Sequence, residues 1–367
     1  MKKQLLSKSP FPQLLSIQMK KIFTFLLGLL GVGSLQEAAA QTLQNNTQLH
    51  IQAGAGIYVQ GSMMNSSASL VNLQNNGTLS LTGNLTNNQS TAFAATGKLA
   101  FIGTTAQVLN GSTAWVTKDI EIDNTAGLTL NSAFNVHGTL NFKSGVITPA
   151  VGLPVFVDNG THINAKDASH VNGTVVKIGT GAFSFPIGNG IKLQKLDVNI
   201  TVNDFFVRAS YSAGDVVGLG GAYTSAGSRP TPLAGRNTGE YWNLFNGSGS
   251  SYTGQVTVFW DGTNDTNNGV VPSVRRVARR QGTDWLNEGG NNIMGTITAG
   301  SVTSNSITVP ASTNQIITLG WEDQVLPLSW LNVNATDTKD QKVQVQWQVS
   351  ESNVATYIVE RNINGAG

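Results

Sequence analysis

The sequence contains no cysteine, which excludes disulfide staples, thiolate zinc sites and cysteine nucleophiles. Stability must therefore come from packing and backbone hydrogen bonds. Charge is scarce as well: charged residues make up 11% of the chain, and 22 basic against 20 acidic residues leave a net charge of +2. So weak a balance gives little sequence-independent attraction to phosphates and argues against a nucleic-acid partner. Apolar runs are short. None reaches the ~20 residues that span a bilayer as a helix, so no transmembrane segment is expected in the mature chain. The four histidines form no His-Glu-x-x-His or other ligand spacing, and neither a Gly-x-Ser-x-Gly elbow nor a Walker loop is present.

What the chain does have is 41 glycines and abundant Asn, Ser and Thr, a composition suited to turn-rich β structure. At the N-terminus, Met19-Lys20-Lys21 precedes a largely apolar stretch from Ile22 to Gly33, and Ala38-Ala39-Ala40 follows before Gln41. This is the three-part layout of a secretory signal peptide, with cleavage expected after Ala40. Residues 1–18 carry a second Met-Lys-Lys ahead of it and read as an upstream extension. Residues 1–40 are thus set apart as extension and leader, and the protein is expected to be secreted, extracellular or on the outer cell surface.

From residue 41 a period emerges. Short alternating apolar pairs recur at Ile57 and Val59, Leu79 and Leu81, Leu99 and Phe101, Ile120 and Ile122, and Leu140 and Phe142. Counted from Val59 to Leu79, Leu99, Ile120 and Leu140, the steps are 20, 20, 21 and 20 residues. Each pair is bounded by polar residues and turn formers, the two-residue alternation of a half-buried strand. Strands this short cannot bury their apolar face alone, so regular repetition predicts stacked coils sharing one core. The fold class expected is all-β, with a β-solenoid over 41–180 in about seven coils. Further pairs, Leu49 with Ile51 and Leu128 with Leu130, predict two or three strands per coil. The Asn-rich stretches Asn75-Asn76-Gly77 and Asn84 to Asn88 read as corners in left-handed or tight-turn conformations, or as solvated loop.

From about Gly181 the period stops and longer, more aromatic strands follow, including Leu196 to Val202, Phe205 to Tyr211 and Gln255 to Trp260. These predict a β-sandwich over 181–322, with Gly- and Ser-rich loops between strands. A boundary is expected at Glu322 to Pro327, and residues 323–367 form a last, short segment.

That segment, with Leu326-Pro327-Leu328-Ser329-Trp330-Leu331, Val345-Gln346-Trp347 and Tyr357-Ile358-Val359-Glu360-Arg361, resembles the opening half of a fibronectin type III-like domain, which implies that the chain is C-terminally truncated. Upstream, Phe183-Ser184-Phe185-Pro186-Ile187-Gly188, Glu240-Tyr241-Trp242, Val256-Thr257-Val258-Phe259-Trp260 and Asp284-Trp285 are similar to an arrangement in secreted surface proteins of Bacteroidota. In those proteins a β-helical stretch and sandwich modules precede a C-terminal sorting domain of the type IX secretion system. The resemblance implies the same export route here, although the sorting domain itself is missing.

Few residues carry chemistry. Asp158, His162, Lys166, Asp167 and His170 are the best enzymatic candidates, because a β-helix can hold carboxylates and bases on one face to act on sugars. A polar corner is the competing reading. After Trp260, Asp261, Asn264, Asp265 and Asn267 offer oxygen ligands for a hard cation such as calcium, or else form a plain hairpin loop. No other cofactor is expected. Arg275, Arg276, Arg279 and Arg280 read as an exposed strand edge blunted by charge, or as a site for an anionic glycan. Trp242, Trp260 and Trp285 could stack on sugar rings or fill the core.

The function expected is a non-catalytic, structural or adhesin-like surface protein, not an enzyme, with surface polysaccharide or cell-surface proteins as partners. A carbohydrate-binding or carbohydrate-active β-helix protein is the alternative.

Overall fold

The computed structural model describes residues 41–66, 72–89, 95–200, 206–216, 221–225, 231–266, 269–323, 329–338, 340 and 342–350. The expected leader, residues 1–40, and the strand expected at Tyr357 to Arg361 lie outside the described residues. The chain divides into two compact units, Met1–Glu322 and Asp323–Gly367.

In the first unit the apolar pairs stack as the period demands. Gly56–Val59, Thr78–Leu81, Lys98–Phe101, Asp119–Asp123, Thr139–Ser144 and Thr161–Ile163 form one parallel sheet of six strands. Its register aligns Ile57, Leu79, Leu99, Ile120, Leu140 and His162 in one column, and Val59, Leu81, Phe101, Ile122 and Phe142 in the next. Because side chains alternate across a strand, both columns point inward together. The coil count is therefore six and not seven. The first step of the period is also corrected: Val59 pairs with Leu81 and not Leu79, so Ile57 begins the column.

A second parallel sheet joins Gln41–Asn45, Gly61–Asn65, Leu85–Asn87, Gln107–Asn110, Leu128–Leu130 and Ile147–Pro149. The third face pairs Gln48–Ile51 with Asn72–Asn75, and then Trp115–Thr117, Phe134–Val136, Pro154–Val157 and Val175–Ile178 in turn. Coil lies so close to coil at one corner that a Cβ on Gly77 would stand 2.2 Å from the Ala55 carbonyl oxygen, and one on Gly97 would stand 2.3 Å from that of Gly77. Only glycine fits this approach.

The Asn-rich stretches are mixed: Asn75 and Asn87 are buried while Asn76, Asn84 and Asn88 are half-exposed, and none of these asparagines takes the expected left-handed backbone. Asn87 ends a ladder of buried asparagines up the second sheet, Asn45 Nδ2 donating to Asn65 Oδ1 (3.2 Å) and Asn65 Nδ2 to Asn87 Oδ1 (3.1 Å). Asn75 is also buried, accepting from the Gly77 N–H and donating to the Lys98 carbonyl.

Parallel pairing between coils ends at Val175–Ile178, whose other neighbour, Phe206–Ala213, runs antiparallel; farther along the same sheet Tyr223–Ser225 pairs in parallel with Asp284–Asn287. The sheet continues without a break through Glu240–Asn246, Asn314–Trp321, Arg275–Gln281 and Asp284–Asn287 to Tyr223–Ser225. A second antiparallel sheet contains Gly181–Phe185, Leu196–Ile200, Tyr252–Trp260, Gly300–Thr303 and Asn291–Gly295. One cluster of buried apolar side chains runs from Ile51 through the coils to Val309 and Leu319, so coils and antiparallel strands share a core. One 3₁₀ turn, Pro272–Val274, is the helical element among the described residues, and none of them forms a helix long and apolar enough to cross a membrane.

The second unit's described part is a hairpin, Ser329–Asp337 antiparallel to Val343–Ser350, with Val333 opposite Trp347.

Candidate functional site

Most of the residues singled out for chemistry serve the interior. The segment after Trp260 folds down onto the sheet: Asp265 is buried and meets the fully buried Arg275 at 2.7 Å. Asn264 Nδ2 donates to the Tyr211 hydroxyl at 2.6 Å, and the Thr266 N–H and hydroxyl donate to Asn237 Oδ1. Asp261 accepts from the Thr263 N–H and from Gln194 Nε2. Asn267 lies outside the described residues. A guanidinium thus stands where the expected cation would draw on Asp265, and among the described residues no three Asp, Glu or His side chains gather to hold a metal.

The arginine run is corrected from an exposed edge to an internal strand. Arg275–Gln281 lies between Asn314–Trp321 and Asp284–Asn287. Alternation turns Arg275, Val277 and Arg279 inward. Arg275 lies over the Trp260 ring (4.6 Å to its centroid), and Arg279 Nε donates to Glu288 at 2.5 Å. Arg276 pairs with Glu322 at 2.5 Å, half-buried.

Trp242, Trp260 and Trp285 are all closed to solvent. Their indoles satisfy their own N–H where the structure records it, Trp242 donating to the Gln194 carbonyl and Trp260 to that of Thr296. Stacking on a sugar needs an open ring face, so these three belong to the core.

Beneath the 261–266 segment lies a group that sequence reading missed. Buried Glu240 accepts from the Tyr211 hydroxyl (3.0 Å) and from Asn237 Nδ2 (3.2 Å). Burial foremost, with the neighbouring Asp261 and Asp265 carboxylates, pushes its carboxyl up to about 8, against the hydrogen bond from Tyr211 and the charge of Arg275. Burial and Glu240 likewise raise the Tyr211 hydroxyl. No linear motif betrays this cluster, because its members lie on three strands and two loops.

The Asp158 to His170 group does not assemble into one site. Asp158 is exposed, 3.9 Å from His137, and its carbonyl accepts from Lys177 Nζ. His162 ends an interior column, edge-on to Phe142, Phe156 and Phe183, and its Nε2 donates to the Ser184 carbonyl at 2.7 Å. Buried His170 has both nitrogens engaged by backbone: a carbonyl can only accept, so Nδ1 donates to Lys166, and Nε2 accepts the Gly190 N–H. Its ring is therefore neutral, and burial lowers its pKa. Asp167 is paired with Lys192 at 2.8 Å, which, offset in part by burial, lowers its pKa. Lys166 bonds through its backbone to Ser169.

What remains open is the outer face of the first coils. A groove of about 570 Å³ is lined by Ile57, Tyr58, Thr78, Ser80, Lys98 and Asp119, with Asn76 and Thr96 on its rim, within the ~300–1,000 Å³ usual for ligand sites. Asn76 is pinned, its Oδ1 accepting from the Thr96 N–H and hydroxyl and its Nδ2 meeting His50 Nε2 at 3.1 Å. Farther along, Glu121 takes Lys143 at 2.9 Å and Lys98 at 3.5 Å. Burial works to raise the Glu121 carboxyl, but these two ammonium groups outweigh it and hold its pKa below the ordinary value. Compared with known proteins, the chain matches no family model, no curated protein and no solved structure.

Proposed function

We propose that the chain is a secreted, cell-surface structural or adhesin-like protein that works by non-catalytic contact. The observation that carries this reading is the sheet that runs unbroken from the coils into the antiparallel strands. A hydrogen-bonded framework of this kind, with one shared core, suits a stiff stalk that presents a face away from its base. In this reading residues 181–322 act as a β-sandwich module and 323–367 open a fibronectin type III-like domain. Export through a signal peptide and the type IX route of Bacteroidota belongs to the same proposal.

A carbohydrate-binding or carbohydrate-active role is the second reading, favoured by the open groove beside Tyr58. The engaged nitrogens of His170 and the Lys192 partner of Asp167 weigh against a sugar-cleaving acid and base there. The test is binding of the 367-residue chain to a glycan array and to whole cells, with and without calcium, beside a reducing-sugar release assay. Binding without release is the expected result. Release of sugar from any polymer would overturn the non-catalytic reading, and binding that requires calcium would return attention to Asp261 and Asn264.

A further inference from the structure

The geometry points to a carbohydrate site on the first coils: a neutral polysaccharide lies in the groove with one sugar ring stacked on Tyr58 and its hydroxyls bonded to Thr78 and Ser80. This rests on the surface-binding function proposed above and names its place and ligand class.

Tyr58 is 54% exposed, the most open aromatic side chain among the described residues. A ring in water on the outer face of the edge strand Gly56–Val59 loses apolar contact that nearly every other aromatic among the described residues obtains, and a tyrosine with one apolar face and a polar tip suits a ligand that has both characters. In register, the positions following Tyr58 on that face are Ser80 and Ala100, too small to cover the ring. The corner glycines Gly77 and Gly97, which the tight stacking of coils requires, keep the adjoining rim low.

Polar partners complete the match. Among the described residues, neither the Thr78 nor the Ser80 side-chain hydroxyl has a protein hydrogen-bond partner, and both are half-exposed in the groove. Asn76, held by Thr96 and His50, forms a rigid rim. Charge discriminates between polymers. Lys98 is the cation lining the groove, and it is countered by Glu121 at 3.5 Å and by the lining Asp119, so no net positive field favours an acidic chain. Strand addition by an extended peptide would use the edge of Gly56–Val59, which pairs with Thr78–Leu81 on one side among the described residues; a peptide there would bond along the sheet edge and not across the outer face on which Tyr58 and Ser80 stand.

The test measures binding of the 367-residue chain to neutral polysaccharides (glucan, xylan, mannan) and acidic ones (alginate, polygalacturonate), for the native protein, Tyr58→Ala and Thr78→Val. Both substitutions are at the surface, and circular dichroism with thermal melting checks that the coils persist. The expected result is binding to a neutral polymer that weakens about tenfold or more in Tyr58→Ala and several-fold in Thr78→Val. Neutral-polymer binding unchanged in both variants overturns the site but leaves the surface-binding function standing. Preference for acidic polymers, or adhesion to cells without binding any glycan, overturns the ligand class alone. Failure to bind any glycan or cell overturns both.

Discussion

At the scale of single residues, the interior ionic groups decide the sharpest predictions. Asp265 and Arg275 are a fully buried pair, and removing one member of such a pair strands the other charge at a cost of about 3–5 kcal/mol. Asp265→Asn should therefore lower the urea midpoint strongly, while Asp265→Leu combined with Arg275→Met should recover much of the loss. Equal destabilisation by the single and double variants would contradict the pairing. Glu240 gives a pH dependence. Its folded pKa of about 8 lies above its ordinary value of 4.5, so the folded state holds a proton that the unfolded state has released. Stability is then greatest below the unfolded value and falls as pH rises toward 8. His162 and His170, with pKa values lowered mainly by burial, act in the opposite sense below their ordinary value of 6.5. The Glu240 effect is thus cleanest above that pH: unfolding free energy should decline between about pH 6.5 and 8. Glu240→Gln should flatten the decline, and a slope unchanged in that variant would assign it to another group.

At the scale of elements, stacked rows matter more than individual strands. Asn65 stands in the middle of the buried amide ladder, bonded to Asn45 before it and Asn87 after it. Truncating it leaves a buried donor on Asn45 and a buried acceptor on Asn87 without their partner. Asn65→Ala is expected to cost about 2–4 kcal/mol, because unsatisfied buried polar groups keep their full desolvation penalty. Asn88, whose Oδ1 accepts the Ser112 N–H in an exposed bond, serves as the control: Asn88→Ala should cost under about 1 kcal/mol. Comparable losses at both positions, measured by chemical denaturation, would mean that the ladder carries no special weight.

At the scale of the molecule, repeat arrays often unfold piecewise because each repeat touches only its neighbours. Here the last coil strand, Val175–Ile178, is also a strand of the antiparallel region, and Lys177 reaches back to the Asp158 and Gly160 carbonyls. Coils and antiparallel strands should therefore melt together. Trp115 lies in a coil and Trp242 in the antiparallel region, so variants retaining only one of these as the fluorescent reporter within 41–322 should show coincident transitions. Separate midpoints would locate a boundary near residue 180.

The coil stack was legible in the sequence because its physics is local and repetitive: an inward pair every twenty or so residues survives as a period even when one step is miscounted, as at Val59. The interior Asn ladder was only half legible, since Asn favours turns and surfaces unless a matching amide lies directly above it, and that alignment exists only once coils are in register. The candidate sites were least legible. Arg275, Asp265 and Trp260 resemble binding residues in a linear reading because their types suit ligands as well as cores. Only long-range pairing decides that Arg275 meets an aspartate and an indole in the interior, while Tyr58, unremarkable in the sequence, stays in solvent. Composition and alternation determined that the chain is a coiled β structure; tertiary structure decided which polar and aromatic groups it shields, because burial depends on partners brought from distant segments.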